Sequence, residues 1–250
     1  MNLHTAMLER PPMVSYAQNN EDVLLERCFV GQPRGFYIDV GAWDPDADSV
    51  TKHFYLKGWS GINVEPNEVY FDRLVAARPR DINLKVAVGT EDGATARFLE
   101  VHDTGLSGLK DTMEVDVIAS TGYTVTERDV EVRSLAAITD VHVSGEVDFL
   151  KIDVEGAERA VIESAEWRAC RPRVVIVEAV RPVTCEPTWF AWEGLLFDAG
   201  YRFALFDGLN RFYFRAEEPE LRERLEVPVN VLDNFVPARF LPNLHPPVPR

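Results

Sequence analysis

The apolar run Phe36-Tyr37-Ile38 ends in Asp39-Val40-Gly41-Ala42, and Gly61-Ile62-Asn63-Val64 ends in Glu65, about 24 residues after Gly41. A third run, Phe149-Leu150, leads into Lys151, Asp153 and Glu155, and a fourth, Val174-Val175-Ile176-Val177, ends in Glu178. Acids at the carboxyl ends of successive apolar strands suit a doubly wound α/β sheet, whose ligands bind beyond those ends near the reversal of strand order. A glycine after the first strand lets the backbone approach a ligand closely. A carboxylate ending the second strand is placed to accept both hydroxyls of a ribose. The pair predicts a cofactor with a free ribose. Taken alone, Asp39 also reads as a cap of the next turn, and Glu65 as a cap of the next helix.

Gly41 is the only glycine in its turn; Trp43 and Asp46 stand where a dinucleotide fingerprint has more. That argues against a pyrophosphate held at a helix N-terminus. Asp39 would repel phosphate and suits a cationic group such as an amino-acid ammonium. The pattern therefore favours S-adenosylmethionine over NAD.

Period-two spacing sets Lys151, Asp153 and Glu155 on one strand face, yet a strand buried on both sides should not carry three charges there. The expected resolution is a Lys151–Asp153 pair near the strand's end, with Glu155 entering the loop. Buried carboxylates beside a lysine are candidates for general-base work. With Glu178 they also make an oxygen-ligand set for a divalent ion such as magnesium. A structural ion pair, with Glu155 starting a helix, is the plainer alternative. Histidines are His4, His53, His102, His142 and His245, and no two have catalytic or zinc-binding spacing. The chain has no G-x-S-x-G elbow and no Walker A sequence, which weakens hydrolase and kinase readings.

These residues need elements to hold them. Residues 1–14 read as a loose arm. A helix is expected over 20–29, capped by Asn19 or Asn20 with Glu21 and Asp22 at its positive end. Strands are expected over 36–40, 61–65, 83–88, 147–154 and 173–180. A short helix over 51–57 ends at Gly58, and Asn67 caps another with Tyr70, Phe71, Leu74 and Val75 on one side. Residues 95–101 read as extended and 129–135 as an edge strand, a departure from simple βα alternation. The polar segment 102–122, holding His102 and Ser107, reads as a mobile active-site loop or, equally, a linker. Helices are expected over 136–143, after Ala157, and over 188–199. Residues 201–206 and 211–214 form a closing hairpin through Asp207-Gly208-Leu209-Asn210. A charged helix and a Pro-rich tail occupy 216–250, leaving 15–215 as the main domain.

At 250 residues and 46% hydrophobic, the chain can bury one large core. A formal charge of -15 argues against nucleic acid and anionic membrane surfaces as partners. Cys28, Cys170 and Cys185 lack metal-like spacing and read as inert thiols in a reducing cytosol. No secretory signal and no membrane-spanning run is evident, so a cytoplasmic location is expected.

Five segments, in register, resemble the FkbM family of S-adenosylmethionine-dependent methyltransferases: SYAQNNEDVLLE from Ser15, GFYIDVGAWDP from Gly35, YLKGWSGINVEPN from Tyr55, INLKVAVG from Ile82 and DFLKIDVEGAE from Asp148. The resemblance covers 15–214 and implies an α/β class I (Rossmann-like) methyltransferase fold, a doubly wound, mostly parallel sheet with the C-terminal antiparallel hairpin. By position it puts Asp39, Gly41 and Ala42 beside the methionine part of the cofactor, Glu65 and Pro66 at the ribose, and Ala87 near the adenine. Ser15, Gln18 and Glu21 would form an N-terminal wall of that site. Trp43 replaces the usual second glycine of the first motif. The family mostly modifies hydroxyls of polyketides, sugars and glycolipids, which leaves the acceptor open.

The resulting expectation is O-methylation in a single displacement. Asp153 is the first candidate base and Glu155 the second, with Lys151 tuning both. Trp43, His102, Ser107, Glu178 and Asn210 are candidates for the acceptor side, a sugar hydroxyl being a reasonable acceptor. Trp43 can stack on a sugar ring, whereas Trp59 reads as core. Two alternatives stay open: a non-catalytic carbohydrate-binding protein on a decayed methyltransferase scaffold, and a NAD-dependent oxidoreductase.

Overall fold

Strict alternation of large apolar side chains builds the central sheet. The computed structural model describes residues 11–113, 118–119, 122–181 and 186–241. Outside the described residues lie His4, His245, Cys185, the first ten residues of the expected arm and the end of the tail. A short strand β1 (Met13–Ser15) leads to helix α1 (Glu21–Cys28), strand β2 (Phe36–Val40), helix α2 (Lys52–Leu56), strand β3 (Ser60–Val64), helix α3 (Glu68–Ala77) and strand β4 (Ile82–Leu84). Strands β5 (Ala87–Val88), β6 (Thr95–Val101), β7 (Gly108–Leu109) and β8 (Val125–Arg133) follow, then helix α4 (Leu135–His142). The second half runs β9 (Phe149–Ile152), α5 (Glu158–Glu163), β10 (Val174–Glu178), α6 (Glu193–Asp198), β11 (Tyr201–Phe206), β12 (Asn210–Arg215), α7 (Glu220–Leu225) and β13 (Phe235–Pro237).

Seven strands form one sheet in the order β11-β12-β10-β9-β2-β3-β4. All neighbours are parallel except β12, which runs antiparallel to β10 and to β11. Successive residues of a strand feed opposite layers. Ile38, Val40, Leu150, Ile152, Val175 and Val177 pack with Leu135, Val161 and Leu196 of α4, α5 and α6. Tyr37, Phe149, Ile176 and Phe212 pack on the other side with Leu24, Leu25, Phe54 and Leu221 of α1, α2 and α7. This is the two-faced burial that a parallel sheet requires. Trp59 is fully buried against Phe54 and Phe29 and belongs to that second layer. Among the described residues no helix is long and apolar enough to cross a membrane.

Several local expectations are corrected. The strand expected over 83–88 is two strands: β4 ends the main sheet, and β5 pairs with β8 in a separate four-stranded sheet of order β5-β8-β6-β7. Continuous apolar alternation cannot reveal that a chain changes sheets between two residues. The expected edge strand at 129–135 starts at Val125 and lies inside that sheet, paired to β6 along its length. Its mostly exposed, polar residues hid it. They are held by cross-strand ion pairs such as Arg128–Glu100 at 2.7 Å and Arg97–Asp129 at 3.2 Å. Val75 is 46% exposed and does not share the buried face of Tyr70 and Leu74. The helix expected over 188–199 is a 3-10 turn, Trp189–Ala191, followed by α6.

The Asn67 side chain does cap α3, accepting from the Val69 N–H at 3.0 Å. Neither Asn19 nor Asn20 caps α1: Asn20 sits in the left-handed region at φ 62 and makes no side-chain cap bond. Instead the first-turn acids reach back. Asp22 accepts from Ser15 Oγ at 2.6 Å and the Tyr16 N–H at 2.8 Å, and Glu21 accepts from the Asn19 N–H at 2.9 Å. β1 pairs in parallel with β13, so the segment before α1 and the segment after α7 meet.

Candidate cofactor and acceptor site

Strands β2 and β9 are adjacent in the sheet, and their connections leave toward opposite edges. Their carboxyl ends therefore open a crevice, where α/β sheets bind ligands. A cavity of about 340 Å³ lies there, within the usual range of small-ligand pockets, about 300–1,000 Å³.

Gly41 ties three strand ends together. Its N–H donates to the Val64 carbonyl at 3.0 Å, and its own carbonyl accepts from Lys151 Nζ at 2.8 Å. Its φ is +81°, and a Cβ there would lie 1.7 Å from the Asp153 carbonyl oxygen. The glycine is thus required by the approach of β9's end, a reason separate from any ligand. On the β3 side, Glu65 is 5% exposed. Each of its oxygens takes one backbone N–H, Oε2 from Trp43 at 2.9 Å and Oε1 from Asn67 at 2.8 Å. Burial pushes its pKa up to about 7, against the pull of those two bonds. Trp43 (φ 48) leans on Tyr70 with ring centroids 5.5 Å apart.

Lys151 is the cation of the site. Nζ stands 3.2 Å from Asp153 Oδ2 and 3.6 Å from Asp39 Oδ1. Burial opposes its charge, but Asp153 and Asp39 outweigh burial and hold it above the ordinary lysine range. Asp39 is 1% exposed, and burial raises its pKa against the stabilising Lys151. Asp153 and Glu155 lie beyond the end of β9, and Glu178 is the last residue of β10. One carboxylate oxygen from each lies within 4.8 Å of the other two. The loop that carries Glu155 is pinned from behind by Glu158, whose Oε1 accepts from the Val154 and Gly156 N–H groups at 3.2 and 3.0 Å. Glu155 has φ 54, is 7% exposed, and its Oε2 is buried without a hydrogen-bond partner. Burial, then repulsion from Asp153, raises the pKa of both Glu155 and Glu178 well above the carboxylate range.

Of the residues singled out by sequence, Gln18, Gly41, Ala42, Trp43, Glu65 and Pro66 line the cavity. So do Ala87, Ser107, Lys151, Asp153, Glu155 and Glu178. Ser15, Glu21, Asp39, His102 and Asn210 do not. Ser15 is committed to Asp22, and the Asn210 amide donates to Glu21 Oε1 at 2.8 Å. His102 is exposed and bonded to Thr126 Oγ1 at 2.8 Å. Asp39 lies one layer behind the wall, in contact with Lys151. Ser107 Oγ accepts from the Val101 N–H at 3.0 Å, so its hydroxyl also anchors the segment entering β7. Sequence reasoning missed Tyr70, Phe98, Leu106 and Leu209 in the lining. Phe98 carried a signal, an aromatic in an otherwise polar extended run; the others are core-like residues that only the packing brings to the wall. Burial raises the Cys28 thiol to about 12 and also raises Cys170, both free, which fits inert thiols.

The strand order, the antiparallel β12 and the acids at the ends of β2, β3 and β9 describe the class I methyltransferase architecture. Residues 39–203 match the model of the methyltransferase FkbM domain, and the chain belongs to that family. It is an S-adenosylmethionine-dependent methyltransferase. A comparison with curated proteins finds no match. Among solved structures the chain resembles a TehB-like SAM-dependent methyltransferase from Corynebacterium glutamicum at 7% identity and TM-score 0.42, over 78% of this chain and 87% of that one. It also resembles magnesium protoporphyrin IX methyltransferase from Synechocystis at 11% identity and TM-score 0.39, over 78% of this chain and 77% of that one.

Proposed function

We propose that this methyltransferase acts on oxygen, methylating a hydroxyl of a sugar, glycolipid or polyketide-type acceptor. The observation that carries this reading is the trio Asp153, Glu155 and Glu178, which opens onto the same cavity as Gly41 and Glu65. A hydroxyl acceptor needs a group to take its proton, and polyols need several acceptors for their hydrogens. The trio offers both.

The cofactor supplies a methyl group already activated on a positively charged sulfur. Glu65 receives the ribose hydroxyls, because each of its oxygens keeps a lone pair beyond the one given to backbone. Gly41, Ala42 and Pro66 form the adjoining wall, Gln18 closes it, and Ala87 faces the adenine. Asp39 acts through Lys151: the two acids hold the ammonium, which in turn fixes Asp153. Asp153 takes the proton from the acceptor hydroxyl as the oxygen–methyl bond forms and the sulfur–methyl bond breaks. Glu155 is the second candidate for that proton. Trp43 and the segment around Leu106 and Ser107 form the acceptor side with Glu178.

The deciding test is calorimetric titration with S-adenosylhomocysteine, with NAD as control, followed by a methyl-transfer screen over glycosides and simple amines. Binding of the first ligand alone, with transfer to a hydroxyl, supports the reading. Transfer only to nitrogen, or no turnover despite binding, would sink the oxygen assignment.

A further inference from the structure

The carboxylates at the acceptor end outnumber the available positive charge. Asp39, Asp153, Glu155 and Glu178 share one ammonium, and Lys151 is already spent on Asp39, Asp153 and the Gly41 carbonyl. Glu155 is the odd member. It is 7% exposed, lines the cavity, and its Oε2 is buried with no hydrogen-bond partner among the described residues. A buried carboxylate oxygen without a donor loses its hydration without replacement, at a cost of about 1–3 kcal/mol or more for a charged group. The fold nevertheless keeps it there, in a backbone conformation at φ 54 and with Glu158 bonding the loop from behind. Glu158 shows how this loop satisfies an acid that only holds structure: it takes two backbone N–H groups. Glu155 takes none.

We infer that Asp153, Glu155 and Glu178 bind a divalent cation, and that the acceptor hydroxyl is held against it. The second clause rests on the proposed oxygen acceptor; the cation site does not. Three oxygens mutually within 4.8 Å can converge on one ion at the about 2.0–2.6 Å bonds that hard cations form. The donor set is all carboxylate, with no histidine or cysteine, which selects magnesium, manganese or calcium over zinc or copper. An ion at this place satisfies the unpartnered Glu155 oxygen and offsets the repulsion that raises Glu155 and Glu178. It also leaves coordination positions facing the cavity, open to water or to an alcohol oxygen. An alcohol bound there loses its proton more easily, so a carboxylate as weakly basic as Asp153 suffices as its acceptor.

The test uses the full chain, freed of metal by a chelator, and manganese alone as probe, read by electron paramagnetic resonance and calorimetry. The expected result is one bound manganese per chain, displaced by excess magnesium, with a rise in the unfolding temperature. Glu155→Gln and Glu178→Gln are each expected to weaken manganese at least tenfold while leaving S-adenosylhomocysteine affinity within about threefold. Glu131→Gln, on the exposed face of β8, serves as a control with unchanged binding. Absence of a stoichiometric manganese site in the wild-type chain overturns the inference, and needs no variant to fold. So does equal manganese binding by Glu155→Gln. Failure of S-adenosylhomocysteine to bind, with manganese still bound, would instead strike at the methyl-transfer reading and leave the cation site standing.

Discussion

Glu65 combines a wall position in the cavity with a pKa held near 7 by burial. Ribose hydroxyls donate to the ionised form, so binding must displace a proton at acidic pH. Cofactor affinity is therefore expected to fall about tenfold between pH 8 and pH 6, as the charged fraction falls. Calorimetry with S-adenosylhomocysteine at several pH values checks this, and Glu65→Gln should bind weakly with a flat profile. A steep profile in that variant would remove Glu65 as the source. Asp153 makes a different prediction. Asp153→Asn keeps the size and loses the proton acceptor, so kcat is expected to drop about 10²-fold or more, with S-adenosylhomocysteine affinity nearly unchanged. Undiminished turnover would pass the base role to Glu155.

At the scale of elements, the ends of β2 and β9 are locked by one glycine. Gly41→Ala places a Cβ 1.7 Å from the Asp153 carbonyl and asks a side chain to adopt φ +81°. Strain and steric displacement together are expected to cost about 2 kcal/mol or more in urea unfolding, and to move Asp153 and Lys151 with the displaced strand end. A stability loss below about 0.5 kcal/mol would mean that the strand ends can separate freely. The small sheet β5-β8-β6-β7 is held differently. It lends Ala87, Val88, Phe98 and Leu109 to the cavity wall while its outer face carries ion pairs between exposed side chains. Such pairs are each worth about 0–1 kcal/mol and are screened by salt. Raised salt is therefore expected to increase hydrogen exchange in β6 and β8 more than in β2 and β9.

Across the whole molecule, burial raises several acids at once: Glu21 to about 8, Asp22 to about 6 and Glu65 to about 7. A carboxyl whose folded pKa lies above its unfolded value binds more protons when folded. Its burial penalty is absent below the unfolded value, near 4.5 for glutamate, and complete above the folded one. Stability is thus expected to decline as pH rises from about 5 to 8, reinforced by the self-repulsion of a chain with formal charge -15. Thermal unfolding across that window checks the sign. Glu21→Gln should show a shallower decline, whatever the variant's absolute stability. The tail is part of the same body. Arg27 pairs with Asp233 through Nε at 2.6 Å and through the second nitrogen at 2.6 Å, and Arg239 Nη1 donates to the Gln18 carbonyl at 3.2 Å. Arg27→Ala is expected to expose the segment around β13 to protease before the central sheet opens.

The main strands, their order of appearance, the closing hairpin and the acids at the strand ends were legible in the sequence. Each rests on local rules: apolar alternation, glycine after a strand, a turn-forming Asp207-Gly208 pair. The FkbM motifs turned that pattern into a family. What needed the tertiary structure was whatever depends on two distant segments meeting. Period-two spacing could place Asp153 beside Lys151, but not show that Asp39 sits behind the wall or that Asn210 is taken by Glu21. Nor could it split β4 from β5 or reveal that Glu155 ends buried and unpartnered while Glu158, three residues on, is satisfied. Those outcomes depend on burial and on competition for hydrogen-bond donors, which are properties of neighbours in space and not of neighbours in the chain.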